Sequence, residues 1–210
     1  MAKPSRHLKR WVLTGPVGAG KSAAAAYLAD LGAHIIDADA EGHALLREPD
    51  VIAALVAAFG MDIQLDGEVD RATLARRVFA DTRDLARLNG ITHGRLSERL
   101  AARLDDLEAQ ATKPGLAVVE AAVYFLLPPF GPIDLVVTVT APAPLRIERL
   151  AASGRLDERA ALARVDCQHD LRADFDRADV ILDNTNDAAA LKLAVTELYR
   201  IHVIGDAPGG

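Results

Sequence analysis

Residues Gly15-Pro16-Val17-Gly18-Ala19-Gly20-Lys21-Ser22 fit the pattern G-x-x-x-x-G-K-[ST]. They stand between an apolar run, residues 10–14, and an alanine-rich stretch, residues 21–31, which closes on Gly32 where helices commonly end with positive φ. That placement after a strand and before a helix gives the pattern its physical meaning. Glycines let the backbone curl so that successive N–H groups point at phosphate oxygens, and the following helix N-terminus adds positive potential. In such a loop Lys21 reaches the β- and γ-phosphates and Ser22 ligates Mg²⁺. The chain is expected to open with a strand–loop–helix unit that binds ATP or GTP.

The rest of the chain alternates in the same manner, with one interruption. A second strand at residues 33–36 runs into Asp37-Ala38-Asp39. Apolar residues then recur at three- and four-residue spacing through 40–47, 49–59, 71–79 and 83–111, which predicts helices. Residues 116–120, 134–139 and 180–182 have the dense Val, Leu and Ile content of strands covered on both faces. Helices are expected at 144–152, 158–168 and 188–199. This order predicts an α/β fold: a P-loop NTPase-type parallel sheet flanked by helices, with a helical insertion and a lid. The expected division is a core from 1–39 and 112–205, including a lid at about 153–177, an acceptor-binding insertion at 40–111, and a tail at 206–210.

Composition excludes other classes. Of 210 residues 50% are hydrophobic, and 24 basic against 30 acidic side chains leave a net charge of −6, so no global basic field exists to hold a nucleic acid. The single cysteine, Cys167, rules out a disulfide scaffold and fits a reducing cytoplasm. Lys3, Arg6, Lys9 and Arg10 before an apolar stretch imitate a signal peptide, but Lys21 interrupts it; Glu120 and three prolines break the run from 116 to 133. No membrane segment is expected, and the chain is read as cytoplasmic, a monomer or weak oligomer acting on a small molecule.

The phosphate loop alone does not decide where a γ-phosphate goes. The guanine-reading Asn-Lys-x-Asp segment of a GTPase is not found, and motor ATPases are usually larger, so a small-molecule kinase fits best. Glu120 ends its predicted strand as a water-mediated neighbour of Mg²⁺. Asp37 and Asp39 sit at the carboxyl end of the second strand, where doubly wound sheets place ligands, and strand alternation would put them on one side. One of them could take the proton of an acceptor hydroxyl; alternatively Asp39 only caps the next helix. Arg146, Arg149, Arg155, Arg159 and Arg164 line the segment that a kinase would use as a lid, and Arg155 is favoured because its glycine neighbour suits a hinge. His93 is a candidate substrate contact, weighed against a structural role.

The residues from Thr14 to Ser22, then Leu31-Gly32 and Ile36-Asp37-Ala38-Asp39, resemble the bacterial dephospho-CoA kinases, which phosphorylate the ribose 3′-hydroxyl of dephospho-CoA with ATP. Arg164, Gln168, Ala178-Asp179 and Ile181-Leu182-Asp183-Asn184 resemble that family's C-terminal segments, and Thr92-His93 its central His-Pro site. The resemblance implies ATP and Mg²⁺ as cofactors, Asp39 as base, Lys21 on the phosphates, Asn184 at the adenine pocket, and Asp37, His43 and His93 toward dephospho-CoA. Several positions depart from the family pattern. His43 stands where the family usually has Arg, Gly94 replaces the Pro after His93, and residues 121–126 lack a Pro-Leu-Leu-x-Glu segment. Asp174 replaces a common Lys, and Ser153-Gly154-Arg155 replaces an Arg-Asp-Gly turn. A diverged P-loop kinase for another nucleotide-like metabolite, or a non-catalytic nucleotide-binding paralogue, are the alternatives.

Overall fold

The computed structural model describes residues 7–78, 81–154, 157–166 and 172–205. Five strands form one parallel sheet: β1 (Leu8–Thr14), β2 (His34–Asp37), β5 (Gly115–Glu120), β6 (Leu135–Thr140) and β7 (Val180–Asp183), in the order β2-β5-β1-β6-β7. The expected fold class is therefore observed. β1 lies at the centre, with Trp11 opposite Val118 on one side and Leu135 on the other. Its run of Trp11, Val12 and Leu13 is almost wholly inaccessible, as are Leu116 to Val119 of β5, because helices cover both sheet faces.

Helix α1 (Lys21–Asp30) carries Ala24, Ala25 and Leu28 against the sheet; small alanines let its backbone approach closely. It ends in a Schellman turn, Ala33 N–H donating to the Leu28 carbonyl and Gly32 N–H to that of Ala29. Helix α9 (Ala188–Tyr199) adds Leu191, Val195 and Leu198 to the same core. Its N-cap is Asp187, whose carboxylate accepts from Ala190 N–H at 2.9 Å. At the amino ends of the strands, Asp134 Oδ2 accepts from Arg10 N–H and Asp179 Oδ2 from Val136 N–H, supplying acceptors where the sheet ladder runs out.

The described residues fall into two compact units. The first comes from Met1–Ile36, Arg103–Phe125 and Pro132–Gly210, and the second from Asp37–Ala102 and Leu126–Gly131. The second holds α2 (Ala38–Leu45), α3 (Pro49–Phe59), a hairpin of β3 (Gln64–Leu65) and β4 (Glu68–Val69), α4 (Arg71–Val78), and the first two thirds of α5 (Thr82–Gln110). Val51, Leu55 and Phe59 recur at i, i+4 and i+8 along α3 and are buried, with Ile63, Leu74 and Leu100 also in the interior of this unit. The hairpin is absent from the sequence reading. Its turn is Asp66-Gly67, both with positive φ, the pairing that a two-residue loop requires, so the local signal was present but sat between strands of only two residues.

Beyond Arg103, α5 belongs to the first unit. There Arg10 Nη2 meets Asp105 Oδ1 at 2.9 Å, and Glu108 accepts from the N–H groups of His7 and Leu8 at 2.6 and 3.0 Å. That unit also holds α6 (Ala143–Ala152), α7 (Glu158–Asp166) and the short α8 (Arg172–Phe175). The expected lid at 153–177 lies partly outside the described residues, as do the tail at 206–210 and Cys167.

Candidate active site

The glycines dictate the geometry of the loop between β1 and α1. Gly15 has φ 132°, and a Cβ there would lie 2.2 Å from the Val139 carbonyl oxygen, so neither the backbone nor the space admits a side chain. Gly20, at φ 102° and ψ 21°, turns the chain into α1; its absent Cβ would fall 2.2 Å from Asn184 Nδ2. Between them Ala19 N–H donates to the Pro16 carbonyl at 3.2 Å. The half-buried Lys21 reaches back, its ammonium donating to the Pro16 carbonyl at 3.3 Å. Such a curled, side-chain-free backbone at a helix N-terminus fits a polyphosphate.

Ser22 Oγ donates to Glu120 Oε1 at 2.8 Å, so the fold brings together a hydroxyl in the first turn of α1 and a carboxylate at the end of β5, 98 residues apart. Both are hard oxygen donors, the type Mg²⁺ takes. Beside the loop, within the first unit, opens a cleft of about 610 Å³ lined by Pro16, Thr140, Arg146, Phe175, Ile181 and Thr185, among others. Arg146 Nη1 donates to the Val17 carbonyl at 3.3 Å.

Asn184 lies against the phosphate loop. The residue is 7% exposed and its Nδ2 donates to the Ala19 carbonyl at 2.8 Å, so this nitrogen is bonded to the loop itself. Arg159 and Arg164 lie exposed on α7, and Arg155 lies outside the described residues. The segment replacing Pro-Leu-Leu-x-Glu forms a turn, Tyr124 N–H donating to the Ala121 carbonyl, with the Arg177 guanidinium 5.0 Å over the Phe125 ring. Burial, and then the nearby Asp179 carboxylate, push the Tyr124 phenol above its ordinary pKa.

In the second unit the two aspartates separate. β2 ends at Asp37 and α2 starts at once at Ala38, two residues earlier than the sequence predicts, so strand alternation does not relate Asp37 to Asp39. Asp37 is the N-cap: its Oδ1 accepts from Asp39 N–H at 2.8 Å and Ala40 N–H at 3.0 Å. The reading of Asp39 as cap is thereby overturned, and its carboxylate is exposed in the first turn of α2. His43, exposed on the last turn of α2, accepts at Nε2 from Arg71 Nη2 at 2.7 Å, which puts the ring proton on Nδ1. His93 Nδ1–H donates to the Leu126 carbonyl at 3.1 Å; burial holds its pKa below the ordinary 6.5, against the smaller opposing effect of that carbonyl. Sequence reasoning missed Arg99, which bonds Glu41 at 2.8 Å and Glu48 at 2.7 Å and whose charge those carboxylates stabilise, Glu41 first. Partners 51 and 58 residues away leave no local signal.

A glycine loop of this geometry, leading from the central strand of a five-stranded parallel sheet into a helix, defines a P-loop kinase fold. A family model, that of dephospho-CoA kinase, matches residues 11–190. The chain belongs to the dephospho-CoA kinase family. Dephospho-CoA kinase of Moorella thermoacetica is 38% identical, covering 94% of this chain and 96% of that one. That of Deinococcus radiodurans is 39% identical over 89% and 88%. A solved protein from Thermus thermophilus superposes with a TM-score of 0.75 at 28% identity, covering 97% of this chain and all of the other.

Proposed function

We propose that the chain is an ATP-dependent kinase that transfers the γ-phosphate to the ribose 3′-hydroxyl of dephospho-CoA, giving CoA. The observation that carries this reading is near-full-length similarity, at 38–39% identity, to proteins named dephospho-CoA kinase, on a chain whose phosphate loop is complete. The backbone of residues 15–20 binds the triphosphate, with Lys21 on its terminal oxygens, and the cleft beside Pro16 takes the nucleoside. Ser22, with Glu120 through water, holds Mg²⁺, which supplies charge neutralisation to the polyphosphate. Asp39 accepts the proton of the acceptor hydroxyl, a role its exposed and uncapped carboxylate leaves open to it.

Asp37 serves as the cap that orients the first turn of α2, while His43 and His93 contribute to the acceptor side. With His93 neutral near pH 7, it acts there as a hydrogen-bonding group rather than as a cation. Arg71, bonded to His43, supplies a permanent positive charge beside a position where the family usually has arginine. Arg155 is assigned the lid cation. The same reading takes the protein to be cytoplasmic and a monomer or weak oligomer; no helix among the described residues is long and apolar enough to cross a membrane.

The test is mass spectrometry of dephospho-CoA incubated with the protein and MgATP. The expected product carries one added phosphate on the ribose 3′ position. Its absence in a preparation that binds MgATP would sink the assignment of the acceptor.

A further inference from the structure

We propose that Arg149 is a positioning residue for the phosphate loop, acting through Asn184. The proposal rests on the nucleotide-binding reading of residues 15–22 and adds a residue that the loop motif does not contain. Asn184 follows β7 and is fixed there by its own N–H, which donates to the Thr140 carbonyl at 2.8 Å. Its Nδ2 donates to the Ala19 carbonyl at 2.8 Å. Arg149, in the last turn of α6, donates from Nη2 to the Asn184 carbonyl at 3.0 Å. A continuous line of donors thus runs from a guanidinium on α6 through one buried asparagine to the loop backbone.

The consequence follows from the planarity of the peptide unit. In a trans peptide the C=O and the next N–H point in opposite directions. Holding the Ala19 carbonyl on Asn184 therefore directs the Gly20 N–H away from Asn184, and Gly20 is the left-handed residue from which α1 starts. A phosphate loop works by keeping such N–H groups aimed before the ligand arrives, so the bond at Ala19 preorganises one of them. Contact is too close for slack: a Cβ on Gly20 would sit 2.2 Å from the asparagine amide. The link from Arg149 is charge-assisted, and it fixes the residue whose side chain does the holding.

A second feature of Arg149 argues against a merely structural role. Its Nη1 is buried with no acceptor among the described residues. A buried donor without an acceptor opposes folding, so a long apolar side chain would serve the packing of α6 at least as well. Arginine here is better explained by what its other nitrogen does for Asn184.

The experiment compares the parent protein with Arg149→Met, Arg149→Lys, Asn184→Ala and the double variant Arg149→Met/Asn184→Ala. MgATP affinity is read by calorimetry, KM separately for ATP and for dephospho-CoA, and the melting temperature without nucleotide. Arg149→Met is expected to weaken MgATP binding and raise KM for ATP about tenfold, leave KM for dephospho-CoA within twofold, and leave the nucleotide-free melting temperature unchanged or higher. Lysine, which keeps one charged donor, should restore most of the affinity, and the double variant should bind no worse than Asn184→Ala alone. MgATP affinity within twofold of the parent in Arg149→Met overturns the proposal. So does a loss of affinity that tracks a lowered melting temperature and is not rescued by lysine, or a double variant whose losses multiply. If the parent itself binds no MgATP, the nucleotide reading fails and the relay with it; parent binding beside an unaffected Arg149→Met sinks the relay alone.

Discussion

Asp37 and Asp39 differ in role because the backbone changes type between them. Asp37 closes a strand and spends one carboxylate oxygen on two helix N–H groups, whereas Asp39 already lies in the helix with its carboxylate in solvent. Asp37→Ala should therefore cost about 1 kcal/mol of stability in urea unfolding, while Asp37→Asn, which still caps, should cost little. Asp39→Asn should leave stability alone and lower turnover by roughly 10²–10⁴ with MgATP affinity within a few-fold, the range for loss of a positioned base. Equal small effects of Asp37→Asn and Asp39→Asn on turnover would remove Asp39 from the chemistry. His93 makes a separate prediction. Burial keeps its folded pKa below 6.5, so in the window just beneath that value the unfolded chain binds the proton more readily, and stability falls as pH drops through it. Urea midpoints measured from pH about 7.5 down to about 5.5 should decline less steeply in His93→Gln than in the parent.

At the scale of elements, the loop between β1 and α1 is held by three neighbours from distant parts of the chain: Val139 of β6, Arg146 of α6 and Asn184 after β7. Gly15 shows how little tolerance this leaves. A methyl group at 2.2 Å from the Val139 carbonyl oxygen, on a residue at φ 132°, can be accommodated only by moving the loop or the strand. Gly15→Ala should abolish most MgATP binding in calorimetry; affinity within threefold of the parent would mean the loop is free to shift. The loop was legible from its own eight residues, since the glycines encode its backbone. Asn184 was legible only as a residue of the site, because a side chain that bonds a backbone carbonyl 165 positions away leaves no pattern in the sequence.

At the scale of the whole chain, a ligand that binds only the folded state adds RT ln(1 + [L]/Kd), about 2.7 kcal/mol at 100 times Kd. For a chain of this length that corresponds to a rise in melting temperature of roughly 5–10 °C with saturating MgATP. Lys21→Ala should lose most of that rise while its nucleotide-free melting temperature stays near the parent's. An unchanged melting temperature in the parent would contradict nucleotide binding. The strand and helix order was readable because each segment carries its own periodicity: dense Val and Leu at 116–119, and Val51, Leu55 and Phe59 four apart. Residues 15–22 likewise specify a phosphate loop unaided, since glycine at positive φ is a property of the residue and not of its neighbours. Tertiary structure decided the partnerships. It chose Asp37 over Asp39 as the cap by starting α2 at Ala38, set Ser22 on Glu120, bonded His43 to Arg71, and turned Asn184 toward Ala19. Those outcomes depend on where separate elements meet, and hydrogen bonds between groups distant in sequence are fixed only when the packed sheet and helices bring their donors and acceptors within about 3 Å.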